Sequence, residues 1–308
     1  MLDIIMYHYV RPIKKSNLPR LKGLEVDAFE RQISYLKKKR TIISPSGLTE
    51  YLVNGQKIPD NAALLTFDDG YKDHIQYALP ILKRHNVEAA FYPPKGAING
   101  EHLLDVNAVH LILANSCDDR AALGAVRTSM LNSGYSESEY DALLKSIDTQ
   151  SRYDSAEAIQ VKRLLQHAIP TELRTIIIAE VFASVTGQSM QECARQLYMD
   201  RSDLRELHRS GMHIGSHTCS HPWLSKLDRG NQFSQINDSL KFLREVGVLP
   251  ECWSFCFPYG DYNHDTLEIL SELGCTFSVT TKPNSVATTD LKAIRHTLPR
   301  FDTNDFPQ

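Results

Sequence analysis

Apolar runs alternate with amphipathic stretches over the first hundred positions of the chain. Residues 3–10 (DIIMYHYV) and 62–67 (AALLTF) read as buried strands, and 87–94 (VEAAFYPP) as a third, stopped by its two prolines. Between them, 27–39 sets Phe29, Ile33 and Leu36 on one helical face, and 75–86 returns to helix around Pro80. Asp73 and His74 stand where that helix starts, with Asp73 a candidate cap. Strands alternating with helices predict a parallel α/β arrangement.

From about residue 101 to 205 the pattern changes. Helical periodicity covers 106–116, 137–148, 156–169, 172–187 and 189–199, and strand-like alternation is nearly absent. Strand signals return at 212–217, 252–260, 275–281 and 291–301, with a helix over 231–247 that glycine ends. Two tandem domains would leave each set of strands too small to enclose a core. One α/β domain, residues 1–100 and 206–308, interrupted by an all-helical insertion at 101–205, fits the pattern better.

Composition narrows the partners. The 308 residues are 42% hydrophobic and 23% charged with a formal net charge of −3, which suits a globular protein with a sizeable core. Beyond Lys37–Arg40, which fits a solvated helix face, there is no dense basic block of the kind that phosphate binding requires, so nucleic acid is not an expected partner. No apolar run approaches the ~18–20 residues that span a bilayer. The first residues lack a basic leader and a long apolar core, which makes the expected location cytoplasmic. The six cysteines (117, 193, 219, 252, 256 and 275) are then expected as reduced thiols, and Cys252 and Cys256 have no second pair of metal-ligand spacing to join.

Candidate chemistry gathers at two places. Asp68 and Asp69 end an apolar strand and are followed by Gly70, and His217 and His221 form an H-x3-H pair after another strand. An Asp-Asp-Gly alone is a common turn, and H-x3-H alone is weak. Together they offer two imidazoles and a carboxylate, the three protein ligands typical of a catalytic metal site, and leave a second carboxylate over for proton transfer.

The segments TFDDGY (66–71) and HTCSH (217–221), in that order, resemble the first two motifs of the polysaccharide deacetylases, the NodB-homology or carbohydrate esterase 4 family. FPYGDYN (257–263) is similar to the third motif, and MYHYV (6–10) and LPRFDTND (298–305) look like the first and last core strands of members from bacterial surface-glycan pathways. The resemblance implies a distorted (β/α) barrel of NodB-homology type. It assigns Asp69, His217 and His221 to a divalent metal, zinc first, with cobalt, nickel and manganese as alternatives. It makes Asp68 the general base and the backbone N–H of Tyr259 an oxyanion donor. Tyr71, Pro258, Trp223 and His8 are expected to face the substrate. The implied reaction is hydrolysis of an N-acetyl group on an acetamido sugar or glycan intermediate. The alternatives are an O-acetyl esterase and a catalytically impaired glycan-binding member.

The sequence departs from the family at three points. Cys256 occupies the position of the third-motif arginine, and neither a clear Asp…Trp fourth motif nor a clean Leu-x-His fifth motif is found. Arg295 or Arg300 is a candidate for the missing guanidinium; Arg300 is favoured because alternation sets it on the same face as Leu298. His296 is the candidate general acid. The insertion is expected to cap the groove or to form a homo-oligomer interface.

Overall fold

A computed structural model describes residues 1–151 and 154–307. The chain forms two compact units: one contains Met1–Pro12, Gly23–Glu101 and the chain from Leu197 onward, the other Ile13–Lys22 and His102–Gln196. Among the described residues, no helix is long and apolar enough to cross a membrane.

The first unit carries the strands β1 (Leu2–Tyr7), β2 (Thr41–Ile42), β3 (Ala62–Asp68), β4 (Ala90–Tyr92), β5 (His213–Ile214), β6 (Ser254–Cys256), β7 (Phe277–Val279) and β8 (Phe301–Asp302). Six of them form a parallel sheet in the order β5-β4-β3-β1-β8, with β2 also on β3, and β6 pairs with β7 in a second parallel sheet. Single-residue parallel bridges, Ser216 to Phe255 and Val279 to Leu298, link the two sheets. The result is a distorted (β/α) barrel whose ladder is not continuous around the ring.

Period-2 alternation sorts the strand residues into two layers. Ile5, Tyr7, Phe67, Phe91 and Ile214 join Phe29, Ile33 and Leu36 of the helix Val26–Lys39 in the outer core. Leu2, Ile4, Leu64, Tyr92, Cys256, Phe277, Val279 and Leu298 form the inner one. All of β3 is buried. At roughly 1.5–3 kcal/mol for each large apolar side chain removed from water, its neighbours hold register strongly enough to carry a charged residue inside. Asp68, two positions beyond Thr66 and four beyond Leu64, falls on the inner face.

Several elements differ from the sequence expectation. Residues 75–86 begin with a π-type turn, His74–Ala78, before the helix Leu79–His85. Pro80 has no N–H to give to the preceding turn, and a wider turn accommodates it. Asp73 does not cap this helix through its side chain, because Arg11 takes both carboxylate oxygens at 2.5 and 2.7 Å; a charge-assisted bidentate pair outcompetes a cap. Residues 291–301 are not one strand. Turns closed by Ala293, Ile294 and Thr297 precede the bridge at Leu298, and Pro299 cannot donate to a ladder, so β8 begins only at Phe301.

The second unit is helical, with Asp105–Asn115, Asp119–Asn132, Glu137–Ser146, Ala156–Arg163 and Thr171–Thr186, and Met190–Leu197 closing it. The helix Asp119–Asn132 was not read from periodicity; Asp118 caps it by accepting from the Ala121 N–H. All six cysteines are free.

Gly215, just past β5, is required by close approach. A Cβ there would lie 2.4 Å from Tyr92 Cε1 and 2.7 Å from Ser254 Oγ. Gly215→Ala is therefore expected to destabilise the protein by about 1–3 kcal/mol through overpacking. An unchanged urea-denaturation midpoint would contradict this packing.

Candidate metal centre and carboxylate pair

The side chains of interest gather where the parallel strands end, the usual location of function in a barrel of this kind. Asp68 is the last residue of β3, and His217 and His221 follow β5. Tyr259 follows β6, and Arg300 immediately precedes β8.

Asp68 points inward by strand alternation. Asp69 would point the opposite way on a continuing strand, but its φ of +69° turns the chain. The two neighbouring carboxylates thus reach one site. Of the six non-glycine residues with positive φ among the described residues, four lie here: Asp69, Thr218, His221 and Tyr259. For Thr218, a β-branched residue, the left-handed region is costly, and such strain concentrates at sites the surrounding structure holds in place. Here the surroundings are visible. Gln235 Oε1 accepts the N–H groups of Cys219 and Ser220, each at 3.0 Å, and Thr218 Oγ1 accepts that of His221 at 3.0 Å.

Asp69 Oδ1 lies 3.6 Å from His217 Nε2 and 3.6 Å from His221 Nε2, and all three residues are buried. These separations are too long for hydrogen bonds but suit atoms that share a cation. His217 Nδ1 is 2.7 Å from the carbonyl oxygen of Cys256. A carbonyl only accepts, so Nδ1 carries a proton and Nε2 is the nitrogen turned toward Asp69, the arrangement common among metal-bound histidines. Burial, aided by His217, pushes His221 down to about 3 and keeps it neutral. Burial opposes charge on both Asp69 and His217, yet the two favour each other's charged forms: Asp69 is held well below the usual range, and His217, beside Cys256 and Asp69, well above its own. Two nitrogen donors and one carboxylate oxygen form a set suited to a divalent ion of the zinc type; together they are a candidate site for a divalent metal.

The second carboxylate is held differently. Arg300 Nη1 donates to Asp68 Oδ1 at 2.8 Å and Nη2 to Oδ2 at 2.7 Å. The remaining donors of this fully buried guanidinium reach Thr280 O (2.7 Å), Thr66 Oγ1 (3.0 Å) and Cys256 Sγ (3.1 Å). Its five N–H groups thus have five acceptors, the condition for burying an arginine without orphaned donors. Burial alone would raise the pKa of Asp68, but the charge and hydrogen bonds of Arg300 keep it below the usual carboxylate value. The Cys256 thiol donates weakly to Asp68 Oδ2 at 3.4 Å and so connects base and guanidinium.

The other sequence candidates divide. Half-exposed His8 has Nε2 3.9 Å from Asp68 Oδ2, and its carbonyl accepts from His74 Nε2 at 3.0 Å. Trp223 and Tyr259 stack at 4.3 Å with 6° between their planes, and Tyr259 meets the ring of His221 edge-on at 4.6 Å. Tyr71 and Pro258 are not exposed walls, since both are buried. The hydroxyl of Tyr71 instead donates to Asp69 Oδ2 at 2.5 Å. The contacts of His296 are with its neighbour and with β7: its Nε2 accepts from Arg295 Nε at 3.0 Å and its carbonyl takes the Ser278 hydroxyl at 2.7 Å. Gln235, Thr66 and Thr280 were missed from sequence because ordinary helix and strand positions give no local signal of such roles. For Tyr71, the adjacency to the aspartate pair was the available clue.

Comparisons with known proteins agree with this geometry. The polysaccharide deacetylase family model matches residues 55–116 and 179–278, just over half of the chain. YxkH of Bacillus subtilis (strain 168) is 28% identical over 104 residues, which span 33% of this chain and 35% of that relative. The deacetylase PplD of Streptococcus pyogenes, solved in complex with acetate, superposes with a TM-score of 0.57 at 17% identity, covering 98% of this chain and 91% of that one. IcaB from Ammonifex degensii superposes with a TM-score of 0.58, also at 17% identity and with coverages of 98% and 91%. At such identities the structural likeness speaks for the fold, while the sequence match over more than half of the chain establishes the family. This chain belongs to the polysaccharide deacetylase family.

Proposed function

We propose that the chain is a metal-dependent hydrolase that removes N-acetyl groups from an acetamido sugar or glycan intermediate and releases acetate. The observation that carries this reading is the meeting of the Asp69, His217 and His221 donor atoms beside a separate carboxylate, Asp68, that Arg300 holds in place. In this reading the first unit is the catalytic one and residues 101–205 are an insertion into it.

Asp69, His217 and His221 hold the ion, with zinc the first choice by donor type. When bound, such an ion lowers the pKa of a water and polarises an acyl oxygen. Asp68 takes the proton from the water as it attacks the acetyl carbon, and the grip of Arg300 fixes which carboxylate lone pair faces that water. The backbone N–H of Tyr259 meets the negative charge that develops on the acyl oxygen. As the C–N bond breaks, the amine needs a proton. His8, the half-exposed imidazole beside Asp68, supplies it in this scheme in place of His296. The stacked pair Trp223 and Tyr259 offers a flat apolar face of the kind sugar rings pack against. An O-acetyl ester is open to the same attack, and release of free amine in step with acetate distinguishes the two. Arg300 speaks against the impaired-member reading, because it supplies the guanidinium that Cys256 lacks.

Asp68→Asn is expected to lower acetate release by roughly 10²–10⁴-fold, the usual worth of a general base, with metal content unchanged. Full turnover in that variant would refute the role of Asp68. His217→Ala and His221→Ala should each empty the site as read by elemental analysis, and chelation of the wild type should stop turnover until metal is returned. Unchanged occupancy would overturn the ligand set. Arg300→Lys retains charge but not the two-point grip. Losing one charge-assisted bond of about 1.5–3 kcal/mol is expected to reduce kcat by roughly 10- to 100-fold, with KM changing much less; a change confined to KM would argue that Arg300 serves binding instead.

A further inference from the structure

Tyr71 follows the aspartate pair by two residues and would ordinarily be counted as a wall of the groove. It is fully buried, and its hydroxyl reaches Asp69 Oδ2 at 2.5 Å. The other oxygen, Oδ1, is the one that lies 3.6 Å from both imidazole nitrogens. The two oxygens of one carboxylate are therefore divided between two tasks: one faces the candidate metal position and the other is occupied by a phenol.

The phenol is itself held tightly. Its ring stacks on Tyr9 on one side, 4.2 Å away at 22°, and pairs more loosely with Tyr198, 6.1 Å away at 14°. The backbone is secured as well, since Tyr71 forms an antiparallel bridge with Tyr198 and the Met199 N–H donates to Gly70 O at 2.9 Å. Gly70 allows this close fit with a φ of +71°; a Cβ there would lie 3.1 Å from the Cβ of Pro93. For Asp69 to offer both oxygens to one ion, its carboxylate would have to rotate out of the Tyr71 hydrogen bond. That rotation would break a buried hydrogen bond to a charged carboxylate, at a cost of about 1.5–3 kcal/mol.

We infer that Tyr71 is a positioning residue that restricts Asp69 to binding metal through one oxygen, and so limits the protein to three donor atoms at the ion. The consequence concerns the remaining coordination positions. A catalytic ion needs at least one position open for water or substrate, and a carboxylate binding through both oxygens would fill one more. Outer partners of metal ligands commonly contribute on this scale, with their removal weakening metal affinity by about 10- to 100-fold. This inference rests on the metal reading proposed above.

The test uses cobalt(II) as the probe on the full chain stripped of metal. In Tyr71→Phe the ring stays and only the hydroxyl is lost. The variant is expected to bind cobalt about 10- to 100-fold more weakly, and its visible d–d bands are expected to weaken and shift as the coordination number rises. Tyr198→Phe removes a hydroxyl from the same stack and is expected to leave both readouts as in the wild type. Equal affinity and an identical cobalt spectrum in Tyr71→Phe would overturn the inference, as would an equal change in Tyr198→Phe. X-ray absorption on the cobalt-loaded wild type gives an answer that does not depend on any variant folding. A short metal-to-carboxyl-carbon distance, the signature of two-oxygen binding, would refute the inference, and its absence would support it. If the wild type itself binds no cobalt, the metal reading fails, an outcome separate from any of these.

Discussion

The grip of Arg300 on Asp68 is the interaction on which the rest of the site depends. Placing an arginine and an aspartate inside a barrel removes two charges from water, with a penalty of several kcal/mol for each. Only near-complete satisfaction offsets that. The guanidinium achieves it by drawing its acceptors from separate parts of the barrel: Thr66 and Asp68 on β3, Cys256 on β6 and the carbonyl of Thr280 just beyond β7. One side chain therefore ties together strands that the backbone ladder joins only through single-residue bridges. The same contacts that hold the barrel in shape fix the orientation of the carboxylate, so stability and preparation for chemistry share a cause.

The neighbouring aspartate is constrained by conformation. A strand continuing past Asp68 would send Asp69 into the outer layer, among Phe67 and its apolar neighbours. The left-handed turn at Asp69, relieved at once by Gly70, brings it back. His221 and Thr218 are bent in the same way, and their loop is held by Gln235 and by its own internal hydrogen bonds. Backbone strain of this type persists because the surrounding packing determines it. The candidate metal position is thus assembled from residues in unfavourable local conformations that the barrel holds together.

Charge and proton placement follow from these restraints. The Cys256 carbonyl sets the tautomer of His217, while the Cys256 thiol lies between Asp68 and Arg300. A single residue at the third-motif position therefore contacts both the candidate ligand sphere and the candidate base. An arginine from β6 would have delivered the guanidinium directly. Here the cysteine leaves space for one arriving from 44 positions further along the chain.

The candidate site was legible in sequence because its members lie in short segments with fixed local meaning. An aspartate pair at the end of an apolar strand, an H-x3-H after a glycine-bearing strand and a Pro-Tyr-Gly turn each state their chemistry within a few residues. Alternation across Leu298 and Arg300 even favours, of two arginines, the one that pairs with Asp68. Most strands of the barrel and most helices of the second unit are equally readable, since hydrophobic periodicity is a local property; the short β2 is not, and only the end of 291–301 forms a strand. What escaped was whatever depends on contacts between distant segments. Asp73 was read as a cap, but Arg11, 62 positions earlier, takes it. Tyr71 and Pro258 are expected to face the substrate, and nothing in their own segments indicates that both are buried. For His296, the local segment gives no sign that its ring meets Arg295 and its carbonyl the Ser278 hydroxyl. Local pattern determined the residue types, their order and the strands that carry them. Burial, hydrogen-bond partners and the direction each side chain faces were decided only when the strands came together in the barrel, because each of those is a property of pairs of segments and not of any one.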